Sequence, residues 1–471
     1  MTLFTDFSKN VELVSQRLRV GESFDVIERR FFAAGTSLCF YFIDGFTKDG
    51  EMQRIMQQLL SMKKMGSAES VLKELPYIEV ERTCDVARIV GAVLSGQSAL
   101  LSESFGAEAI LIDARTYPAR TTAEPDSDRV MQGSHDGFVE TLVMNTALIR
   151  RRIRDPGLTM RHFSVGELSK TDVVLCYMEG VVDKRVLECV SKKLREARPK
   201  SLTLGFQSLA ETLVRRGWWN PFPKIRTTER PDTAAAHVLE GSVLVITDTS
   251  PQVMILPTSI FDYLQQTDDY YFPPLTGSYM RLVRTVILLL SVVATPLWYL
   301  SVKYAEVLPP YLEFLLPKEP GALPILLQLL LVEVALDGLK IASMNTPDML
   351  SNSLSVVGAL ILGDFAIEVG WLCADVIFYM AFVAIANFAQ QNHELGYAFK
   401  CARVITLLLS AALGVWGFAL GFVLFILLIA TSGASFGRSY LYPLIPFNGR
   451  ALVRLLFRTK KADFESEGRE G

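Results

Sequence analysis

The chain has 471 residues, of which 50% are hydrophobic and 21% are charged, and its formal net charge is −3. This composition excludes an intrinsically disordered chain, which lacks hydrophobic residues, and a nucleic-acid-binding protein, which shows a clustered basic excess. The length allows two or three domains. The average hides a division, because residues 1–280 have mixed charges throughout whereas long apolar runs dominate from residue 285 onward.

The first part contains an internal repeat. The segment LSGQSALLSESFGAEAILID, which begins at Leu94, aligns without gaps with LEGSVLVITDTSPQVMILPT, which begins at Leu239. Each has Leu-x-Gly, an apolar strand, a polar turn and a second apolar strand, and each follows a short helical pattern. Two copies of one α/β unit are therefore predicted, roughly over 25–115 and 165–265.

The expected fold class is an N-terminal soluble α/β region made of two similar α/β subdomains, followed by an α-helical transmembrane domain. The predicted domains are a first α/β subdomain (1–119), a helical linker (120–160), a second α/β subdomain (161–280), a transmembrane helical domain (281–435) and a basic, then acidic, cytoplasmic tail (436–471).

The predicted linker ends in a basic run, IRRRIRD, at residues 149–155. Its simplest interpretation is the solvated face of a helix. The alternative is a docking surface for a neighbouring subunit, formed by Arg150, Arg151, Arg152 and Arg154.

A charged stretch, TERPD, precedes the helix of the second repeat. Pro231 is favoured at a first helical position, and Asp232 complements the positive end of the helix dipole. Helix initiation leaves Glu229 and Arg230 unexplained. These residues, with Asp232, could form a domain interface or border a ligand cleft between the two repeats.

The six cysteines are scattered, with no CxxC motif and no nearby histidine pair. This pattern argues against a zinc site or a disulfide framework and suits a reducing compartment. No cofactor and no metal site are predicted. The first residues lack the basic and apolar regions of a signal peptide.

Long apolar runs in the last third predict membrane crossings. Residues 285–302 and 404–431 carry no charge, and 322–339, 354–370 and 372–389 carry few. The run 404–431 is expected to be two short spans or a re-entrant hairpin, broken near Gly414, and Gly417 and Gly421 form a GxxxG that could allow close helix approach. Residues 322–339 could instead lie flat on the membrane.

Basic residues near the membrane ends predict a cytosolic N-terminal region. Arg281 and Arg284 precede the first apolar run, and Lys400 and Arg403 precede the last one. A third group of basic residues follows the last apolar run. The three basic groups lie on the same side of the membrane if an even number of crossings separates them.

Acidic residues within apolar spans are costly and usually face a bundle interior or a water-filled path. In a ring of subunits they would favour cations. The alternative is an interfacial position, where water solvates them. The predicted ion pathway comprises Glu333, Asp337, Asp364, Glu368 and Asp375. Lys340 is the one basic residue set against these acids, so they are expected to exceed what internal pairing neutralises.

Several segments resemble the A-subunit family of bacterial spore germinant receptors, the GerA type. They include SKTDVVLCYMEGVVDKRV, WNPFPKIRTTERPDTAAAHVLEG, DYLQQTDDYYFPPLTGSYMRLVR and SVVGALILGDFAIEVG. GSHDGFVETLVMNTALIRRRIRDP is most similar to the branch called stage V sporulation protein AF. The resemblance implies a multi-pass protein of the spore inner membrane, with a cytosolic N-terminal region, that acts in germination as an oligomer around an ion path.

The leading functional hypothesis is an ion channel, or a channel subunit, that releases cations during germination. The alternatives are a nutrient germinant receptor and a scaffold for other germination proteins. An enzyme is not expected, because no constellation of nucleophile, base and orienting group is visible. The expected partners are membrane lipid, further copies of the chain and other spore germination membrane proteins, without nucleic acid.

Overall fold

A computed structural model describes residues 1–77, 79–117, 130, 132–214, 219–319, 321–345, 366–390, 392–432 and 434–457. The chain forms two compact units. The first comprises Met1–Arg216, Ile225–Thr258 and Ser435–Arg438, and the second comprises Gly217–Lys224, Ser259–Ala434 and Ser439–Gly471.

In its described residues, the first unit contains two five-stranded antiparallel sheets with the same strand order. The order is β1-β2-β4-β5-β3 in one sheet and β6-β7-β9-β10-β8 in the other. The first sheet consists of β1 (Val26–Ala33), β2 (Thr36–Ile43), β3 (Val80–Thr83), β4 (Ser98–Ser102) and β5 (Ala109–Ile112). The second sheet consists of β6 (Leu158–Val165), β7 (Thr171–Met178), β8 (Arg226–Thr228), β9 (Val243–Thr247) and β10 (Val253–Leu256).

Helices cover both faces of each sheet, so that every central strand is buried on both sides. In the first repeat these helices are α1 (Phe7–Leu18), α2 (Asp49–Ser61), α3 (Ala68–Glu74) and α4 (Val86–Leu94). In the second repeat they are α5 (Leu142–Arg152), α6 (Lys184–Glu196), α7 (Phe206–Leu213) and α8 (Pro231–Leu239). The apolar runs of β4 and β9 reflect this double burial.

The repeat is confirmed, and it begins earlier than the sequence suggested. Asn10 in α1 exchanges two hydrogen bonds with the backbone of Phe4, at 2.7 Å each. Asn145 in α5 makes the same pair with the backbone of Val139, at 2.8 and 2.5 Å. Helix α5 therefore corresponds to α1 and packs on the second sheet, although the sequence placed it in a linker.

The second unit is helical. Segment 259–264 packs against its helices, which explains why the main segment of this unit starts at Ser259 and not near residue 281. Its helices are α9 (Asp268–Tyr271), α10 (Pro274–Lys303), α11 (Ile325–Asn345), α12 (Ala366–Glu368), α13 (Ala374–Phe388), α14 (His393–Leu413), α15 (Val415–Ala430) and α16 (Gly449–Leu456). Near the C-terminus, β11 (Ala434–Ser435) pairs with β12 (Arg438–Ser439).

Among the helices that the structure describes in the second unit, two are long and apolar enough to cross a membrane, judged by length and composition. They are α10 and α14. Helices α13 and α15 are apolar but shorter. Most of the predicted crossing 354–370 lies outside the described residues.

The predicted break in the run 404–431 is confirmed at Gly414. Helix α14 ends at Leu413, Gly414 has a φ of +65°, and α15 starts at Val415. A left-handed φ favours glycine because it has no Cβ. Helices α14 and α15 pack closely where Gly417 and Gly421 face the backbone of α14.

Candidate functional site

A cluster of four charged side chains joins two helices of the second unit. Glu333 and Asp337 are four residues apart and share one face of α11, as helical geometry requires. Lys400 and Arg403 lie on the facing side of α14. We call these four residues the charge cluster.

Each acid of the charge cluster is paired with at least one base. The Arg403 guanidinium donates to Glu333 Oε1 at 2.6 Å, and Lys400 Nζ lies 3.2 Å from the same oxygen. Lys400 also donates to the Asp337 carboxylate. Lys400 thus bridges the two carboxylates, and the four formal charges sum to zero.

The cluster is most deeply buried at Arg403 and most open at Asp337. The side chain of Arg403 is 1% exposed and that of Glu333 is 10% exposed, whereas that of Asp337 is 37% exposed. Arg403 also donates to the backbone carbonyl of Ser291 in α10, at 3.4 Å. Charges within apolar helices are costly to bury and usually mark a functional pathway or a pairing site.

This arrangement changes two expectations. Internal pairing neutralises two of the five predicted pathway acids, because Lys400 and Arg403 pair with Glu333 and Asp337. The two bases also do not precede a span, since α14 begins at His393, where the Asn392 side chain caps the helix by accepting from the Leu395 N–H. Both bases therefore lie within the helix.

The other predicted pathway acids do not join the charge cluster in the part of the chain that the structure describes. Asp364 lies outside that part. Glu368 is exposed at the end of the one-turn helix α12. Asp375 is half-buried in the first turn of α13, where the helix dipole favours an acidic side chain.

A second buried ion group involves the basic residues expected to flank the first span. Asp269 is fully buried and accepts from Arg284 at 3.1 Å and from Arg281 at 3.4 Å. Arg281 also donates to the carbonyl of Leu455, at 2.6 Å, and Arg284 to that of Leu264, at 3.0 Å. These arginines hold the start of α10 to its neighbours, and they are not exposed flanking charges.

The TERPD stretch links α8 to the segment before α5. Arg230 is fully buried and donates to Asp232 at 2.7 Å and to the carbonyl of Ser134 at 2.8 Å. The backbone carbonyl of Glu229 accepts from the Phe138 N–H, and its carboxylate accepts from the Gln252 side chain, both at 2.8 Å. These contacts lie within the second repeat, so the geometry supports a structural role and does not place the three residues in a cleft between the repeats.

Arg150 joins the two repeats. Its guanidinium binds both carboxylate oxygens of Asp25, at 2.8 and 3.1 Å, and donates to the carbonyls of Leu158 and Asp155. The side chains of Arg150 and Asp25 are 1% and 2% exposed. The prediction of a solvated face is therefore wrong for Arg150. Arg151 and Arg154 are exposed, and their docking role stays a prediction.

Arg152 is half-buried and pairs with Asp136. Its guanidinium lies 2.6 and 2.7 Å from the two carboxylate oxygens, and Ser134 donates to the same carboxylate. Burial raises the pKa of Asp136. The hydrogen bonds from Arg152 and Ser134 together lower it by more than burial raises it, so that the pKa lies below its ordinary value.

A folded-state pKa below the unfolded value makes this pair stabilising at neutral pH and not in acid. The contribution is fully present above the unfolded pKa of about 4 and is lost as the pH falls through the folded value. We expect Asp136→Asn to lower the free energy of unfolding at pH 7 by about 1 kcal/mol. Urea midpoints followed by circular dichroism should show this difference shrinking below a pH of about 4. A difference that does not change with pH would contradict this assignment.

Across the described ranges, no group of three or more histidine, cysteine, aspartate or glutamate side chains is close enough to hold a metal ion.

Comparison with known proteins gives a family match over most of the chain. The family model described as Bacillus/Clostridium GerA spore germination protein matches residues 14–467. Stage V sporulation protein AF of Bacillus subtilis is 37% identical over 96% of this chain and 92% of its own length. Spore germination protein KA of the same organism is 27% identical, over 96% and 84%.

Among solved structures, the N-terminal domain of the A subunit of the Bacillus megaterium spore germinant receptor GerK3 is similar. It is 22% identical, with a TM-score of 0.41, and the match covers 55% of this chain and 96% of that domain.

Proposed function

Because the chain belongs to the GerA family of spore germination proteins, we propose that it is a multi-pass protein of the spore inner membrane that conducts cations during germination. The single observation that carries this proposal is the charge cluster between α11 and α14. The first unit would face the cytosol. Lipid would surround the apolar helices, and further copies of the chain would complete the path.

The charge cluster can serve a cation path because a small movement of Lys400 would free the Asp337 carboxylate. Glu333 would stay paired with Arg403. Lys400 bridges Glu333 and Asp337, and its side chain is 13% exposed. Displacing Lys400 toward water would leave Asp337 without this cation, and a permeating cation could take that place. In a ring of subunits the exposed carboxylates would recur around the path and favour cations over anions.

The cluster also gives a physical reason for a closed resting state. A paired base and acid in an apolar setting attract each other strongly, whereas an unpaired buried charge is costly. The neutral cluster therefore stabilises the arrangement in which Lys400 occupies the position of the cation. A germination signal would act by weakening this pairing.

The receptor and scaffold alternatives have less support from the geometry. Glu229, Arg230 and Asp232 make structural contacts within the second repeat. A scaffold remains compatible with the exposed Arg151 and Arg154 and with other spore germination membrane proteins as partners.

The test is potassium efflux from liposomes that contain the purified full-length protein. The double variant Glu333→Gln, Asp337→Asn should reduce efflux about tenfold or more, because each carboxylate lowers the barrier for a cation. The matched control is Glu313→Gln, since Glu313 is exposed outside the charge cluster. Unchanged efflux in the double variant, or no efflux from the folded wild type, would contradict the proposal.

A further inference from the structure

A groove on the second repeat lies between β6 and α6. Its volume is about 590 Å³. One wall carries Arg161, and the other carries successive turns of α6, from which Lys184, Ser191, Lys192 and Arg195 line the groove. Three glutamates and a leucine complete the lining.

Ser191 supplies a polar group that needs a partner. It is 6% exposed, and its hydroxyl makes no hydrogen bond to any residue in the described part of the chain. The buried hydroxyl of Tyr177 is also without a partner there, and the Arg161 guanidinium lies 5.5 Å from the centre of its ring. A buried hydroxyl left without a hydrogen bond costs free energy. A bound group with acceptor oxygens would therefore stabilise the protein around these hydroxyls.

The charges of the groove are not balanced. Lys192 lies 3.8 Å from Glu196, and Glu179 lies 3.6 Å from Arg19, which is outside the groove. No ion pair within the described ranges joins the remaining lining charges, which are the bases Arg161, Lys184 and Arg195 and the acid Glu188. The unpaired charges of the groove therefore have a surplus of cations.

The first repeat shows that the fold does not require this polar lining. Helices α2 and α6 have the same length and follow corresponding strands. The position of Ser191 is held by Met56 in α2, and the position of Arg195 is held by Leu60. Met56 packs on the core of the first repeat. The hydroxyl and the arginine are thus particular to the second repeat.

We propose that this groove binds a phosphate group, carried by a small phosphate ester or by a phospholipid headgroup. The three cations without an ion pair outnumber the one such acid, Glu188, by two. With a buried hydroxyl donor they suit a ligand with about two negative charges and several acceptor oxygens. Arg161 and Arg195 hold it from the two walls, and Ser191 donates from the floor. The site is independent of the cation path in the second unit.

The test uses the full-length protein in dodecyl maltoside, which contains no phosphate, with two probes. One is glycerol 3-phosphate, titrated by calorimetry, and the other is phosphatidylglycerol added to the micelles. Binding of either probe identifies the source of the phosphate. Binding of neither by the folded wild type overturns the proposal.

Variants place the binding in the groove. Arg195→Gln should raise the Kd about tenfold. Ser191→Met, which introduces the residue of the first repeat, should abolish binding. The matched control is Arg185→Gln, which removes an exposed charge of the same helix outside the groove. Equal weakening by Arg185→Gln would overturn the proposal, because it would indicate general attraction to a basic surface.

Discussion

Replacing Gly417 by alanine is expected to destabilise the second unit more than any other single methyl addition among the glycines that the structure describes. A Cβ at this position would lie 1.8 Å from the carbonyl oxygen of Leu409 and 2.4 Å from its carbon. Both atoms belong to the backbone of α14, so that the two helices would have to separate. We expect a loss of about 3 kcal/mol in the free energy of unfolding.

Tryptophan fluorescence can follow this effect, because all five tryptophans lie in the sequence ranges of the second unit. The matched control is Gly396→Ala in α14, where an added Cβ meets no atom within 4 Å. That change should be neutral or slightly stabilising, since alanine has the higher helix propensity. Equal midpoints for Gly417→Ala and Gly396→Ala would show that α14 and α15 do not approach closely.

Replacing Arg150 by methionine is expected to loosen the contact between the two repeats. The change leaves the Asp25 carboxylate buried without its cation and removes the donors to Leu158 and Asp155. Removing one partner of a buried ion pair costs about 3–5 kcal/mol. Hydrogen exchange should rise in β1, which follows Asp25, and in β6, whose first carbonyl accepts from Arg150.

Two further variants separate pairing from general damage. Arg154→Met removes an exposed arginine from the same segment and should leave exchange in both strands unchanged. Adding Asp25→Leu to Arg150→Met should recover part of the lost stability, because the unpaired buried charge is then gone. Wild-type exchange rates in Arg150→Met would refute the bridging role.

The repeated α/β fold could be predicted because its signals are local. Leu-x-Gly and two apolar strands recur in each half, and each strand pair is short enough to be recognised by pattern alone. The start of each repeat could not be predicted, because the signal there is a single asparagine, Asn10 or Asn145, that binds a backbone six residues earlier. A lone asparagine in a helix does not reveal from its sequence position which backbone groups it binds.

The pairing of the charges could not be predicted, because the partners are far apart in sequence. Lys400 and Asp337 are 63 residues apart, and Arg150 and Asp25 are 125 residues apart. Composition shows that acids lie in apolar runs but not which bases the fold brings to them. The one available signal was Asn392, whose capping role starts α14 early enough to include Lys400 and Arg403.

Those pairs also limit what a count of flanking charges can establish about orientation. Arg281 and Arg284 bind Asp269, and Lys400 and Arg403 bind the acids of α11. A base that neutralises a buried acid contributes less to the net charge at a membrane surface than a free one. The cytosolic position of the first unit therefore remains a prediction of the proposed function.

The reversal potential across a planar bilayer that contains the purified protein, under a potassium chloride gradient, tests the proposed cation path most directly. A path bordered by Glu333 and Asp337 predicts a potential near the potassium equilibrium value, and neutralising both carboxylates should move it toward zero. A potential near the chloride value, or one that the double variant leaves unchanged, would contradict the assignment of the charge cluster to the path.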